Sequence, residues 1–286
     1  MGVYDSGYGG LTVLRQLRQL LPALDYIYLG DSGRAPYGGR DVDALLDFSE
    51  QCVERLFDEG CRVIVVACHT ISCVALRHLQ QRYGLEERRV LGVTIPAAEA
   101  AVAMTRGHIG FLGTARTVAS HTFRTEVRKL NAAASVSEVA ASLLAPIVEE
   151  AWEETEIARM AVKRYVSSFS EIDTLVLGCT HYPLLERAFI ELTPEGVEVL
   201  NPARHVALRF ADWRNRHPEF APDGSGTLRI LSSGDSTLFA AHGARFLGER
   251  LPTVEHVGQK NGRLLPCPDG DEPMGQVMRT ISFPSP

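Results

Sequence analysis

The chain has 286 residues, 45% of them apolar and 22% charged, a composition that builds a globular core and excludes a disordered one. Lys and Arg number 29 against 35 Asp and Glu, and the net charge of −6 argues against a nucleic-acid scaffold, which would need a basic face. No apolar run is long enough to span a bilayer, and the N-terminus lacks the basic and apolar regions of a secretory signal.

In chain order, strands are expected at Gly2–Tyr4, Tyr26–Leu29, Arg62–Cys68, Val90–Ile95, His108–Leu112, Thr174–Cys179, Val197–Leu200, Leu228–Leu231 and Thr253–Val257. Amphipathic helices are expected at Leu11–Leu21, Val42–Glu59, Ser72–Tyr83, Pro96–Thr105, Thr117–Leu130, Pro146–Ser168, Leu184–Leu192 and Ser236–Arg250. Continuous apolar strands alternating with helices predict parallel sheets covered on both faces, an α/β fold. Residues 258–286, rich in Gly and Pro, read as a tail that wraps the surface or stays disordered.

Two segments repeat. Val63–Thr70 reads strand, then Cys-His-Thr, then helix; Leu175–His181 reads strand, then Cys-Thr-His, then helix. Their cysteines are about 110 residues apart. Val3-Tyr4-Asp5-Ser6-Gly7 pairs with Phe111-Leu112-Gly113-Thr114 at nearly the same interval. The repeat predicts two pseudo-symmetric three-layer domains with a site in the cleft between them, since parallel sheets bind ligands beyond the carboxyl ends of their strands. The expected division is residues 1–93 with 206–257, residues 94–205, and the tail.

Several chemistries are excluded. Gly7-Tyr8-Gly9-Gly10 is not a dinucleotide fingerprint, because Thr12 takes the place of its third Gly. There is no Walker loop and no Gly-x-Ser-x-Gly elbow. Lys129, Lys163 and Lys260 all fall away from strand ends, which disfavours pyridoxal chemistry. The start Met1-Gly2-Val3-Tyr4-Asp5-Ser6 matches a myristoylation pattern, but Gly2-Val3-Tyr4 also opens a strand that must be buried. Six cysteines without an export signal are expected to be reduced thiols in a cytoplasmic protein.

Cys68 and Cys179 each precede a helix with a His close by. That setting is expected to favour thiolate and to lower the thiol pKa toward neutrality. Two such thiols facing one another would suit proton removal on one face of a carbon and delivery on the other, which is racemisation or epimerisation. Other readings stay open for their neighbours. Asp5 fits a helix cap, His181 a satisfied buried polar group, and Glu149 the acidic first turn of a helix.

The sequence resembles a known family, the glutamate racemases of the cofactor-independent aspartate/glutamate racemase superfamily. The resemblance rests on Gly2-Val3-Tyr4-Asp5-Ser6-Gly7 with Gly9-Gly10-Leu11-Thr12, and on Tyr28-Leu29-Gly30-Asp31 with Pro36-Tyr37-Gly38. It continues in Ala67-Cys68-x-Thr70, Gly92-Val93-x-x-Pro96, Gly113-Thr114-x-x-Thr117 and Leu143-Leu144-x-Pro146-x-Val148-Glu149. Most specific is Leu177-Gly178-Cys179-Thr180-His181-Tyr182-Pro183-Leu184. The resemblance runs from Gly2 to about Val257.

It implies that Cys68 and Cys179 are the acid/base pair, assisted by Asp5 and His181, with Glu149 a further acid of the site. It implies that Ser6, Pro36, Tyr37, Gly38, His69, Thr70, Thr114, Thr117 and Thr180 hold an acidic amino acid, most simply glutamate, with no cofactor and no metal. It further implies a small-molecule substrate rather than nucleic acid or membrane, a D-glutamate supply for peptidoglycan, and room for a homodimer. One position departs from the family pattern, which usually has Cys-Asn-Thr where this chain has Cys68-His69-Thr70. An amide offers donor and acceptor together, whereas a neutral imidazole divides them between two nitrogens. His69 also opens a different reading, in which Cys68, His69, Cys179 and His181 supply two thiols and two imidazoles for structural zinc. A third reading is a non-catalytic binding homologue.

Overall fold

The computed structural model describes residues 1–84 and 87–267. In chain order the elements begin β1 (Gly2–Asp5), α1 (Leu11–Leu20), β2 (Tyr26–Gly30), α2 (Val42–Asp58), β3 (Val63–Val66), α3 (His69–Val74), α4 (Leu76–Tyr83), β4 (Arg89–Gly92) and α5 (Thr94–Met104). There follow β5 (His108–Gly113), α6 (Ala115–Ser120), α7 (Thr122–Leu130), β6 (Ser135–Ala140), α8 (Leu144–Glu149), α9 (Glu156–Val166), β7 (Thr174–Gly178), α10 (Glu186–Leu192) and β8 (Glu198–Leu200). The chain ends through α11 (Ala203–Arg216), β9 (Leu228–Ser232), α12 (Ser236–Leu247), β10 (Val254–Lys260) and β11 (Arg263–Pro266).

These strands form two sheets. One has the order β11-β10-β9-β2-β1-β3-β4 and the other β6-β5-β7-β8. All pairings are parallel except the β10–β11 hairpin. The central run β2-β1-β3-β4 and the whole second sheet therefore share one strand order, which is the internal repeat expressed as topology. The first sheet is then extended on its β2 side by the returning strands. The strands β1, β3 and β7 are buried along their full length, as their unbroken apolar runs require.

Packing follows the same plan. One apolar cluster joins Val3, Leu14 and Val65 of the first sheet's half to Leu112, Val162 and Leu177 of the second. A second covers the other face of the first sheet with Leu45, Val53, Ile71 and Leu79, and a third covers the second sheet with Ala98, Phe123 and Val127. Each sheet is thus the middle of three layers.

Several expectations differ from the structure, and the helices expected over Ser72–Tyr83 and Thr117–Leu130 are each two, α3 with α4 and α6 with α7, the latter pair broken at the left-handed His121. The strand expected through Ile95 ends at Gly92, and α5 starts at Thr94. The single helix expected over Pro146–Ser168 is two, α8 and α9, separated by a turn with Ala151 at φ 59°. Two elements, β6 and α11, were not expected at all. Part of the expected tail is ordered: β10 runs on to Lys260 and turns into β11, whose Leu264 is buried. The remainder, residues 268–286, lies outside the described residues. All six cysteines are free thiols, and no helix among the described residues is long and apolar enough to cross a membrane.

Candidate active site

A cavity of about 280 Å³ opens where the carboxyl ends of both sheets meet. Twelve of the fourteen residues singled out in the sequence line it: Ser6, Pro36, Tyr37, Gly38, Cys68, His69, Thr70, Thr114, Glu149, Cys179, Thr180 and His181. The other two, Asp5 and Thr117, are buried directly behind the wall and bond to lining residues. Also in the lining, and not foreseen, are Ala141 and Ser142 at the carboxyl end of β6, with Tyr182. Failure to recognise β6 concealed the first two; a strand end there is the signal that would have found them.

The strand ends explain this convergence. β1 delivers Asp5 and Ser6, and its counterpart β5 delivers Thr114; β3 delivers Cys68, and its counterpart β7 delivers Cys179. Because a parallel sheet aligns all its carboxyl ends, four junctions far apart in sequence open onto one space. Thr114 caps α6 by accepting from Thr117 N at 3.2 Å. The hydroxyls of Thr70, Thr114 and Thr117 form a closed triangle with sides of 2.9 to 3.2 Å. Among the described residues no Lys or Arg lines the cavity, so an anionic ligand would rely there on hydroxyls and backbone N–H groups.

The two sulfurs have different partners. Cys68 Sγ donates to Ser6 Oγ at 3.6 Å. Cys179 Sγ lies 3.7 Å from His181 Nδ1, and His181 Nε2 lies 3.0 Å from Glu149 Oε1. Asp5 is fully buried; its carboxylate accepts from Gly7 N at 3.0 Å and from Thr180 Oγ1 at 3.2 Å. It does not cap α1, whose N-cap is Gly10. Glu149 likewise closes α8 rather than opening a helix.

The expected lowering of thiol pKa fails for Cys68. Burial, and then the nearby Asp5 carboxylate, push it up to about 12. Desolvation of the charged form outweighs the helix start that the sequence drew attention to. Burial also raises Asp5, against the charge of His181 and the N–H groups of Gly7 and Gly10. For His181 burial pulls downward, but the hydrogen bonds and charges of Cys179 and Glu149 prevail and raise it to about 10. The site is therefore polarised, with a protonated thiol at Cys68 and an imidazolium between sulfur and carboxylate on the other side.

His69 is only 4% exposed, and neither ring nitrogen has a hydrogen-bond partner. Burial lowers its pKa to about 4, so the ring is neutral at pH 7. Together with Cys179 and Thr180 it lines both the main cavity and a void of about 10 Å³ against Thr12, Asn201 and Val206. Among the described residues no group of three or more His, Cys, Asp or Glu is arranged to hold a metal ion.

The fold and this cavity define a two-sheet α/β protein with a cavity at the carboxyl ends of both sheets. Its family follows from comparison with known proteins. Residues 9–209 match the model of the Asp/Glu/Hydantoin racemase family, and the chain belongs to that family. It is 36% identical over 261 residues to a glutamate racemase of Geobacter metallireducens, covering 90% of this chain and 96% of that one. The fold is similar to the glutamate racemase RacE1 of Bacillus anthracis, with a TM-score of 0.84, 32% identity, and 92% and 97% of the two chains covered. A glutamate racemase of Francisella tularensis in complex with D-glutamate matches with a TM-score of 0.83 at 26% identity, covering 90% and 96%.

Proposed function

We propose that this protein racemises an acidic amino acid without a cofactor, converting L-glutamate to D-glutamate with Cys68 and Cys179 as the two acid/bases. The observation that carries this reading is their placement at equivalent strand ends on one cavity. One sulfur, as thiolate, takes the α-hydrogen as a proton, and the bonding electron pair passes into the α-carboxylate. The other sulfur, as thiol, gives its proton to the opposite face of the same carbon. The thiolate and thiol have then exchanged roles, ready for the reverse reaction. Asp5 and His181 assist Cys68 and Cys179 respectively, and Glu149 orients His181. Ser6, Pro36, Tyr37, Gly38, His69, Thr70, Thr114, Thr117 and Thr180 hold the substrate, and exclusion of water from the cleft strengthens each contact.

The glutamate racemases of similar sequence and the D-glutamate-bound relative support glutamate as substrate. A cytoplasmic role in supplying D-glutamate for peptidoglycan accords with the same kinship. The proposed domains are residues 1–93 with 206–257 and residues 94–205, with the cleft between them. Cys68→Ser and Cys179→Ser should each abolish racemisation, followed by optical rotation, while either retains one-sided exchange of the α-hydrogen in D₂O. Normal racemisation by either variant refutes the two-thiol mechanism.

The unpartnered ring of His69 supports a second reading, in which the family chemistry has moved to another amino acid or carboxylic acid. A sharp rise in glutamate turnover in His69→Asn would favour that reading, and unchanged or lower turnover would favour glutamate.

A further inference from the structure

Beyond the acid–base groups, a residue of the first sheet's half reaches across to the second. Arg245 lies near the end of α12, and its Nη2 donates to the carbonyl oxygen of Val148 at 2.8 Å and to Glu153 Oε1 at 2.6 Å. Val148 is the residue before Glu149, at the last turn of α8. That helix is six residues long and closes on the left-handed Ala151, with Ala151 N donating to the Val148 carbonyl oxygen at 3.1 Å and Trp152 N to that of Ile147 at 3.0 Å, so Arg245 adds a side-chain bond to a carbonyl already in the closing turn. Arg245 and Glu153 are largely withdrawn from solvent, with side-chain exposures of 28% and 17%. The next residue of α12, Phe246, packs its ring 5.3 Å from that of His181, edge to face. One turn of α12 thus contacts the ring of His181 and the residue just before Glu149.

We propose that Arg245 is a positioning residue for the Cys179 side of the site, clamping the end of α8 so that the Glu149 carboxylate stays on His181 Nε2. The inference rests on the two-thiol reading above. Its consequence is asymmetric. The Cys68 side draws on Ser6 and Asp5, neither of which lies on α8 or α12. A clamp on α8 therefore acts first on proton transfer at Cys179, as base toward one enantiomer and as acid toward the other. A latch that merely closed the cleft would act on both steps and on substrate affinity.

The test compares Arg245→Met, Arg245→Lys and wild-type protein, using each enantiomer of glutamate with hydrogen or deuterium at the α-carbon. The enantiomer deprotonated by Cys179 is the one whose α-hydrogen still exchanges in Cys68→Ser. In Arg245→Met we expect kcat to fall roughly tenfold with KM held within about twofold, the scale of a misaligned proton-transfer group. The deuterium effect on kcat should grow for the Cys179 enantiomer and shrink for the other, whose turnover becomes limited by reprotonation from Cys179, and Arg245→Lys should recover part of the loss. Glu153→Gln, which keeps an acceptor for Arg245, should shift the same isotope effect less, and it provides the reading if Arg245→Met does not fold. Isotope effects that change equally or not at all, or a loss carried by KM, overturn the proposal. An active wild type with an unaffected Arg245→Met overturns this inference alone. A wild type that exchanges no α-hydrogen of glutamate overturns the racemase reading and this inference with it.

Discussion

His69 and His181 are both buried imidazoles beside a catalytic thiol in the proposed mechanism, and their surroundings drive them in opposite directions. His69 has no partner, so desolvation alone acts on it and leaves it near 4. The unfolded chain binds a proton at this position below about 6.5, whereas the fold refuses it until near 4. Stability should accordingly fall as pH drops through that window, by an amount on the order of a few kcal/mol. Urea-unfolding midpoints at pH 7 and pH 5 should differ more for wild type than for His69→Asn; equal differences would contradict the assignment. His181 carries the reverse sign. Its contribution is fully present below its unfolded value and is lost as pH rises through about 10. Sequence revealed that a His stands in place of an Asn, but a ring without partners is a property of the packed wall around it.

At the scale of elements, the strand-to-helix junctions demand small residues where backbone and ring crowd together. Gly178 ends β7 immediately before Cys179. A Cβ there would collide with the Phe111 ring and come within 2.6 Å of the Leu112 carbonyl oxygen. Phe111 cannot retreat, because it stacks on Phe123 with centroids 4.2 Å apart in the core of the second sheet. Gly178→Ala should cost about 2–4 kcal/mol of stability, measured by thermal or urea unfolding, and should reduce kcat by displacing Cys179. The strands that carry the proposed acid/base residues were legible because they are central, and burial on both faces writes an unbroken apolar run. β6 was not, because it is an edge strand of half-exposed residues, Ser135 to Ala140, with little apolar signal. α11 was missed for a related reason: Val206, Ala207 and Phe210 form a narrow buried stripe among arginines that remain at the surface.

Across the whole molecule, one apolar cluster passes from the first sheet's half into the second, so the cavity is floored by shared core and walled by both sheets. A ligand held by Thr70 and Cys68 on one side and by Thr114 and Cys179 on the other should tie the halves together. D-Glutamate at about 100 times its Kd should add about 2.7 kcal/mol to unfolding stability. Cys68→Ser should show nearly the same gain despite its lost turnover, because substituting the sulfur removes the chemistry but few of the binding hydroxyls. A gain abolished along with turnover would mean that the sulfur itself dominates binding.

Sequence by itself determined the α/β class, the repeated strand-to-helix pattern and twelve of the residues that line the cavity. Each is written locally: apolar runs declare buried strands, and the residues just past such runs must open at a sheet's carboxyl edge. Only the tertiary structure decided how those residues are tuned. Cys68 is raised rather than lowered because burial and the Asp5 carboxylate, 63 positions distant in sequence, outweigh its own helix start. Glu149 meets His181, and Arg245 grips the turn beside it, through contacts between segments that no local pattern links. Electrostatic energy depends on distance and on desolvation, and both are set by the packing of the chain rather than by the order of its residues.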